Sequence, residues 1–128
     1  MRIEILPRIW IADKMPKTNN IKYIVHIIEK INNIYTISDF IRRQHLYVKY
    51  LEDMTKFLYY HTIVKQKSIL LIDPYVHERH DAYMICIAFM SFYGKVHWSN
   101  VYKAIKEKTI PFTLNSFSAG TLNLFHPT

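Results

Sequence analysis

The chain has 128 residues, half of them hydrophobic, with two glycines, one cysteine and a formal charge of +7. That length holds one domain with a sizeable core rather than two, and the composition excludes a disordered chain, a disulfide framework and a thiolate metal site. A reducing compartment follows from the lone cysteine; no apolar run approaches the roughly 18 residues of a spanning helix, and Met1–Trp10 lacks a signal-like apolar region, so a cytoplasmic protein without a membrane anchor is expected.

The positive charge admits nucleic acid, phosphorylated ligands or an anionic surface as partners. Lys and Arg are spread from Arg2 to Lys108, however, with only Arg42–Arg43 and Lys65/Lys67 close together. A solvated basic surface is the expectation, and a dedicated nucleic-acid face is not.

In chain order, Met1–Leu6 and Arg8–Ala12 read as two short strands bent at Pro7. Asp13–Asn20 has loop composition, Ile21–Ile28 reads as a buried strand with Glu29–Asn33 as its polar exit, and Ile34–Ser38 is a further strand candidate. From about Arg43 to Val64, Tyr47, Leu51, Met54 and Leu58 recur at spacings of four, three and four with charged residues between them, the pattern of an amphipathic helix covering a sheet. The Tyr59-Tyr60-His61 cluster at its end is expected to fold onto the core.

Lys65–Lys67 then turns into the unbroken apolar run Ile69–Ile72, which ends in Asp73. After a short polar loop, Arg79 precedes Asp81–Met90, a segment apolar around its whole circumference and therefore expected to be wrapped on all sides. A buried strand feeding a buried helix through such a loop offers amides and the positive end of a helix dipole to an anion. Gly94 is placed to cap this helix. Beyond it, Trp98–Lys108 should turn Val101, Ala104 and Ile105 inward, Thr109–Thr113 is a turn, and Leu114–Phe125 is a weaker last helix. Cys86 lies in the apolar helix as a buried small hydrophobe.

The stretch from Ser68 to Met90 resembles the signature loop of the dual-specificity branch of the cysteine-dependent protein phosphatases. In that family a strand ends in His-Cys, five residues follow, and an Arg and a Ser open the central helix. Here Ile72 and Asp73 stand at the His-Cys positions, Arg79 keeps its place six residues on, and His80 replaces the Ser. Glu4–Asp13 is similar to the family's opening strand pair, Ile21–Ile28 to its next core strand, and Tyr35–Asp39 to the strand that leads to its general-acid loop. Gly94, Val101–Lys108, Ile110–Pro111 and Leu122–Phe125 follow the family's order. The resemblance implies an α/β fold of dual-specificity phosphatase type across the single domain 1–128, with a central mixed, mostly parallel sheet flanked by helices. Heavy use of Ile, Lys, Asn and Tyr suits an AT-rich genome, such as that of a poxvirus.

Hydrolysis in that family needs a low-pKa thiolate, a ring of loop amides, an Arg that grips phosphate through two donors, and an Asp that protonates the leaving oxygen. Only Arg79 is clearly in place. Asp73 at the nucleophile position would repel an incoming phosphate: two unit charges about 4 Å apart cost roughly 4 kcal/mol at an effective dielectric near 20. A carboxylate nucleophile elsewhere works with a bound metal, for which this loop is not built. Pro74 removes one loop amide, Val76 stands where the family has Gly, Glu78 adds a carboxylate beside Arg79, and Tyr75 and His77 complete the altered loop. Asp39 is either a remnant of the general acid or a loop residue beside Arg42 and Arg43. The histidines of His77–His80 are three apart across a loop-to-helix junction and do not form the HExxH zinc motif.

No cofactor and no metal are therefore expected. In this reading Asp73 replaces the bound anion from within, and the chain is a pseudophosphatase that acts by binding protein: a phosphorylated protein, a partner phosphatase or a second copy of itself. The alternatives are a weak or unusual phosphatase on protein or RNA 5′-phosphates with Asp73 as nucleophile, and a basic nucleic-acid-binding module.

Overall fold

The computed structural model describes residues 2–15, 17, 21, 23–26, 44–73, 81–108, 114 and 116–125. Strands β1 (Arg2–Leu6), β2 (Ile9–Ala12), β3 (Tyr23–His26) and β4 (Ile69–Ile72) form one sheet in the order β1-β2-β4-β3. Helices α1 (Gln44–Tyr59), α2 (Asp81–Gly94), α3 (Trp98–Lys108) and α4 (Ser116–Phe125) accompany it, and a π-helical turn at Tyr60–Val64 prolongs α1. The expected strand at Ile34–Ser38 lies outside the described residues.

The first two strands make a hairpin because Pro7 presets its own φ and Arg8 takes a φ of 67°, the combination of a type II turn. Arg8 is held there from both sides. Its Nη1 donates to the Thr62 carbonyl at 3.2 Å, and its own carbonyl accepts the Ile69 amide at 2.8 Å. A register shift between Glu4 and Leu6 lets the consecutive residues Ile5 and Leu6 both join the core.

β4 runs parallel to β2 on one side and to β3 on the other, whereas β1 and β2 are antiparallel. The described sheet is thus a small mixed one and not the mostly parallel sheet expected, because the Pro7 turn folds β1 straight back along β2. All four residues of β4 are buried, as an unbroken apolar strand between parallel neighbours requires.

Alternation along the strands divides the core in two. Ile9, Ile11, Ile69 and Leu71 face a large cluster to which all four helices contribute; Ala12, Leu70 and Ile72 face a smaller one with Ile21, Trp10 and Ile24. In α1, Tyr47, Leu51, Met54 and Leu58 are all buried, the residues whose spacing marks the helix in the sequence. Every residue of α2 from Asp81 to Phe89 is buried, so this helix sits at the centre of the helical layer.

Three local expectations need correction. Tyr59 and Tyr60 do not fold onto the core: they are 37% and 48% exposed. Ala104 is exposed while Val101 and Ile105 are buried, because the inward stripe of α3 is narrower than its sequence suggests. Gly94 is the last residue of α2 and not the left-handed cap beyond it, a conformation taken instead by Lys95, with φ at 57°. What Gly94 supplies is room: a Cβ there would meet the Met90 sulfur at 2.6 Å.

A lysine in the left-handed region carries a steric cost that glycine does not. Lys95→Gly is therefore expected to stabilise the protein by about 0.5–1 kcal/mol, read as a raised midpoint in urea denaturation with an unchanged slope. An unchanged or lowered midpoint would mean that Lys95 contributes more through its contacts than its backbone conformation costs.

Candidate functional site

The carboxyl ends of β2, β4 and β3 and the amino end of α2 meet where open α/β sheets place their ligands. Asp73 follows directly on β4. Its amide donates to the Ala12 carbonyl at 2.8 Å, carrying the ladder between β2 and β4 one residue beyond the strands. Its side chain is wholly buried, and Oδ2 accepts the Ala82 amide at 3.1 Å. Ala82 is the second residue of α2, and its amide is one of those that an α-helix leaves without an internal partner. Asp73 thus occupies the amino end of the central helix from within the chain.

A second carboxylate stands at the same end. Asp81 opens α2, is 3% exposed, and its Oδ1 accepts the Tyr47 hydroxyl at 2.7 Å. Negative charge in the first turn of a helix is favoured by the helix dipole. Tyr47 in turn belongs to the first turn of α1, the segment that ties three helices together: Gln44 Nε2 donates to the Phe117 carbonyl at 3.0 Å and to Thr121 Oγ1 at 2.9 Å, both on α4. The polar end of α2 is therefore braced by α1, which is itself braced by α4.

Of the residues singled out in the sequence, Asp73 is the one the structure describes, and it places that residue buried at the helix amino end. Pro74, Tyr75, Val76, His77, Glu78, Arg79, His80 and Asp39 lie outside the described residues, as do Arg42 and Arg43. Among the described residues, no three His, Cys, Asp or Glu side chains are grouped to hold a metal ion, and no helix is long and apolar enough to cross a membrane. Sequence reasoning missed the roles of Tyr47 and Asp81. Tyr47 is legible as a buried position on the apolar stripe of α1, but its partner is not, since 34 residues separate them. Asp81 carries a usable signal, an acid opening an apolar helix.

No family model matches the chain, and neither does any curated protein or solved structure.

Cys86, inside α2, is fully buried, and burial pushes its thiol up to about 12. A thiol this hard to ionise is not a relocated nucleophile, because only the thiolate attacks. The sign of the linkage follows: the fold favours the neutral thiol, so this contribution to stability is full below the ordinary value of 9.0 and is lost as pH rises from there through about 12. Labelling by iodoacetamide at pH 9 should accordingly be limited by unfolding in the native protein and fast in denaturant. Fast native labelling would place the thiol at the surface.

Tyr47→Phe keeps the ring and deletes only the hydroxyl that donates to Asp81. Removing one donor from a buried carboxylate should cost about 1–3 kcal/mol in urea denaturation. A change below about 0.5 kcal/mol would show that the Tyr47 hydroxyl contributes little to holding this end of α2.

Proposed function

We propose that this chain is a dual-specificity-phosphatase-like protein without phosphatase activity, a pseudophosphatase that works through contacts with protein. One observation carries the reading: the residue at the nucleophile position is a carboxylate, wholly buried and bonded to the Ala82 amide at the head of the central helix. A phosphate bound by such a loop would seek the same amides. An internal carboxylate that already takes one of them competes with the phosphate for donors and repels it by charge. Support for the fold identity comes from the hairpin at the start of the sheet and the order of strand, Asp73 and a helix buried from Asp81 to Phe89; the small mixed sheet departs from the mostly parallel one that the resemblance implies.

The same enclosure weakens the case for Asp73 as an unusual nucleophile, since an attacking oxygen needs an open line to phosphorus and this side chain has no accessible surface. In this reading the fold is kept as a scaffold, and its surface rather than its cradle meets the partner, without cofactor or metal.

The test separates an internal anion from an ordinary loop residue. Asp73→Ala should destabilise the protein by about 1–3 kcal/mol, because a buried amide loses its acceptor. Millimolar sulfate at fixed ionic strength should return part of that loss in Asp73→Ala and little in the native protein, since only the vacated site binds it. Equal melting temperatures with equal shifts in sulfate would overturn the internal-anion reading. In parallel, neither the native protein nor Asp73→Cys should release phosphate from aryl phosphates, phosphopeptides or RNA 5′-phosphates. Steady release by the native protein that is lost in Asp73→Ala would instead make it an enzyme with a carboxylate nucleophile.

A further inference from the structure

Among the described residues, six of the eight exposed large hydrophobic side chains stand at the far ends of α1, α2 and α4: Tyr59, Tyr60, Ile63, Val64, Phe92 and Leu124. Ring contacts join two of them, Tyr59 and Phe92, into one face, and Ile63 follows four residues after Tyr59. Tyr59 stacks on Tyr93 with centroids 4.4 Å apart, Tyr93 meets Phe92 at 5.0 Å, and Phe92 meets Phe125 at 5.9 Å. Between α1, α2 and α4 the face opens into a cleft of about 220 Å³ lined by Glu52, Thr55, Lys56, Phe92, Tyr93 and Phe125. The π-helical turn at Tyr60–Val64 follows directly on Tyr59, a conformation rare in proteins and frequent at functional sites.

Cations rim this face. Lys95 Nζ sits 5.3 Å above the Phe92 ring, Lys65 Nζ sits 5.5 Å above the Tyr60 ring, and Lys56 lines the cleft. We propose that the face is a docking surface for an acidic amphipathic helix of a partner protein, with one apolar side chain seated in the cleft and carboxylates meeting Lys56, Lys65 and Lys95. The proposal rests on the reading of the chain as a protein-binding module and supplies the surface and the partner chemistry that reading lacks.

Three other occupants fit less well. A single-stranded nucleic acid needs open ring faces for its bases, but Tyr59 and Tyr93 cover one another, lysines cover Phe92 and Tyr60, and the exposed Ile63, Val64 and Leu124 have no π-face. A second copy would set one lysine rim against another on a chain that already carries +7. An anionic membrane would call for a protruding apolar wedge, whereas the apolar groups here line a concavity. An acidic helix with apolar anchors at i, i+3, i+4 and i+7 satisfies both the cleft and the lysines.

The probe is a displayed library of helical peptides with apolar anchors at those spacings and all other positions randomised, selected on the full chain and then measured by fluorescence anisotropy. Enriched peptides should be rich in Glu and Asp, and binding should fall at least tenfold for the double variant Phe92→Ser with Ile63→Ser. For Lys56→Glu with Lys95→Glu the preference should invert towards Lys-rich peptides, which a loss of folding would not produce. Lys106→Glu, on α3, should leave binding within twofold. Failure to enrich any peptide, enrichment of basic ones by the native protein, or binding indifferent to Phe92→Ser with Ile63→Ser would overturn the proposal. Tighter binding of poly(U) RNA or phosphatidylserine vesicles, lost in the same double variant, would overturn the choice of partner. The readout does not involve Asp73. Absent peptide binding with absent phosphate release overturns the docking surface alone, whereas phosphate release with peptide binding intact overturns the non-catalytic reading.

Discussion

The carboxylate of Asp73, shut away from water at the end of β4, is the constraint on which the rest of this molecule turns. A carboxylate with no exposure is stable only where donors replace the water it has lost. The amino end of α2 supplies one, and α2 in turn lacks a partner for its first amides unless something accepts from them. Strand and helix therefore satisfy each other at the contact between Asp73 and Ala82. Because β4 is an interior strand flanked in parallel by β2 and β3, and α2 is the helix buried from Asp81 to Phe89, that contact joins the interior of the sheet to the centre of the helical layer.

The two ends of α2 differ in what surrounds them. At its head, Asp73 accepts from the Ala82 amide and Asp81 accepts from the Tyr47 hydroxyl, both carboxylates being buried. At its tail, Phe92 is exposed and packs against Tyr93, which in turn stacks on the exposed Tyr59. With 14 residues, α2 puts about 20 Å between these ends. The buried carboxylates at the head and the exposed aromatic side chains at the tail are thus separated along one helix, so a change at one end need not disturb the other.

Much of the fold was legible because burial and periodicity are local properties. The period of Tyr47, Leu51, Met54 and Leu58, the unbroken run of β4 and the all-round apolarity of α2 each fixed an element and its buried face before any contact was known. What the sequence could not show were pairings between distant residues and departures at helix ends. The Tyr47 hydroxyl on Asp81 depends on how two helices cross. The left-handed turn after α2 fell on Lys95 because the helix runs one residue further than the position of Gly94 suggests, and packing against Met90, not backbone freedom, accounts for glycine there. Tyr59 and Tyr60 looked like core residues by type, yet the helix loosens into a π-turn at that point and carries them outward. At the site itself, Asp73 was expected to act as an internal partner of the helix because the resemblance sets it at the loop's nucleophile position, and the bond to the Ala82 amide is local, nine residues along the chain.

The excess positive charge takes on meaning once its placement is known. Spread evenly it would do little beyond keeping the protein soluble and raising the encounter rate with acidic partners. Three lysines, however, gather around the exposed aromatic face, where an ammonium held against a ring is partly desolvated and its attraction for a carboxylate is screened less than in open water. Charge and apolar area then act at different ranges on the same surface: the first orients an approaching acidic partner over about a Debye length, and the second holds it at contact. In this protein a buried carboxylate stands at the head of α2, while Lys56, Lys65 and Lys95 stand by the exposed aromatic side chains near its tail.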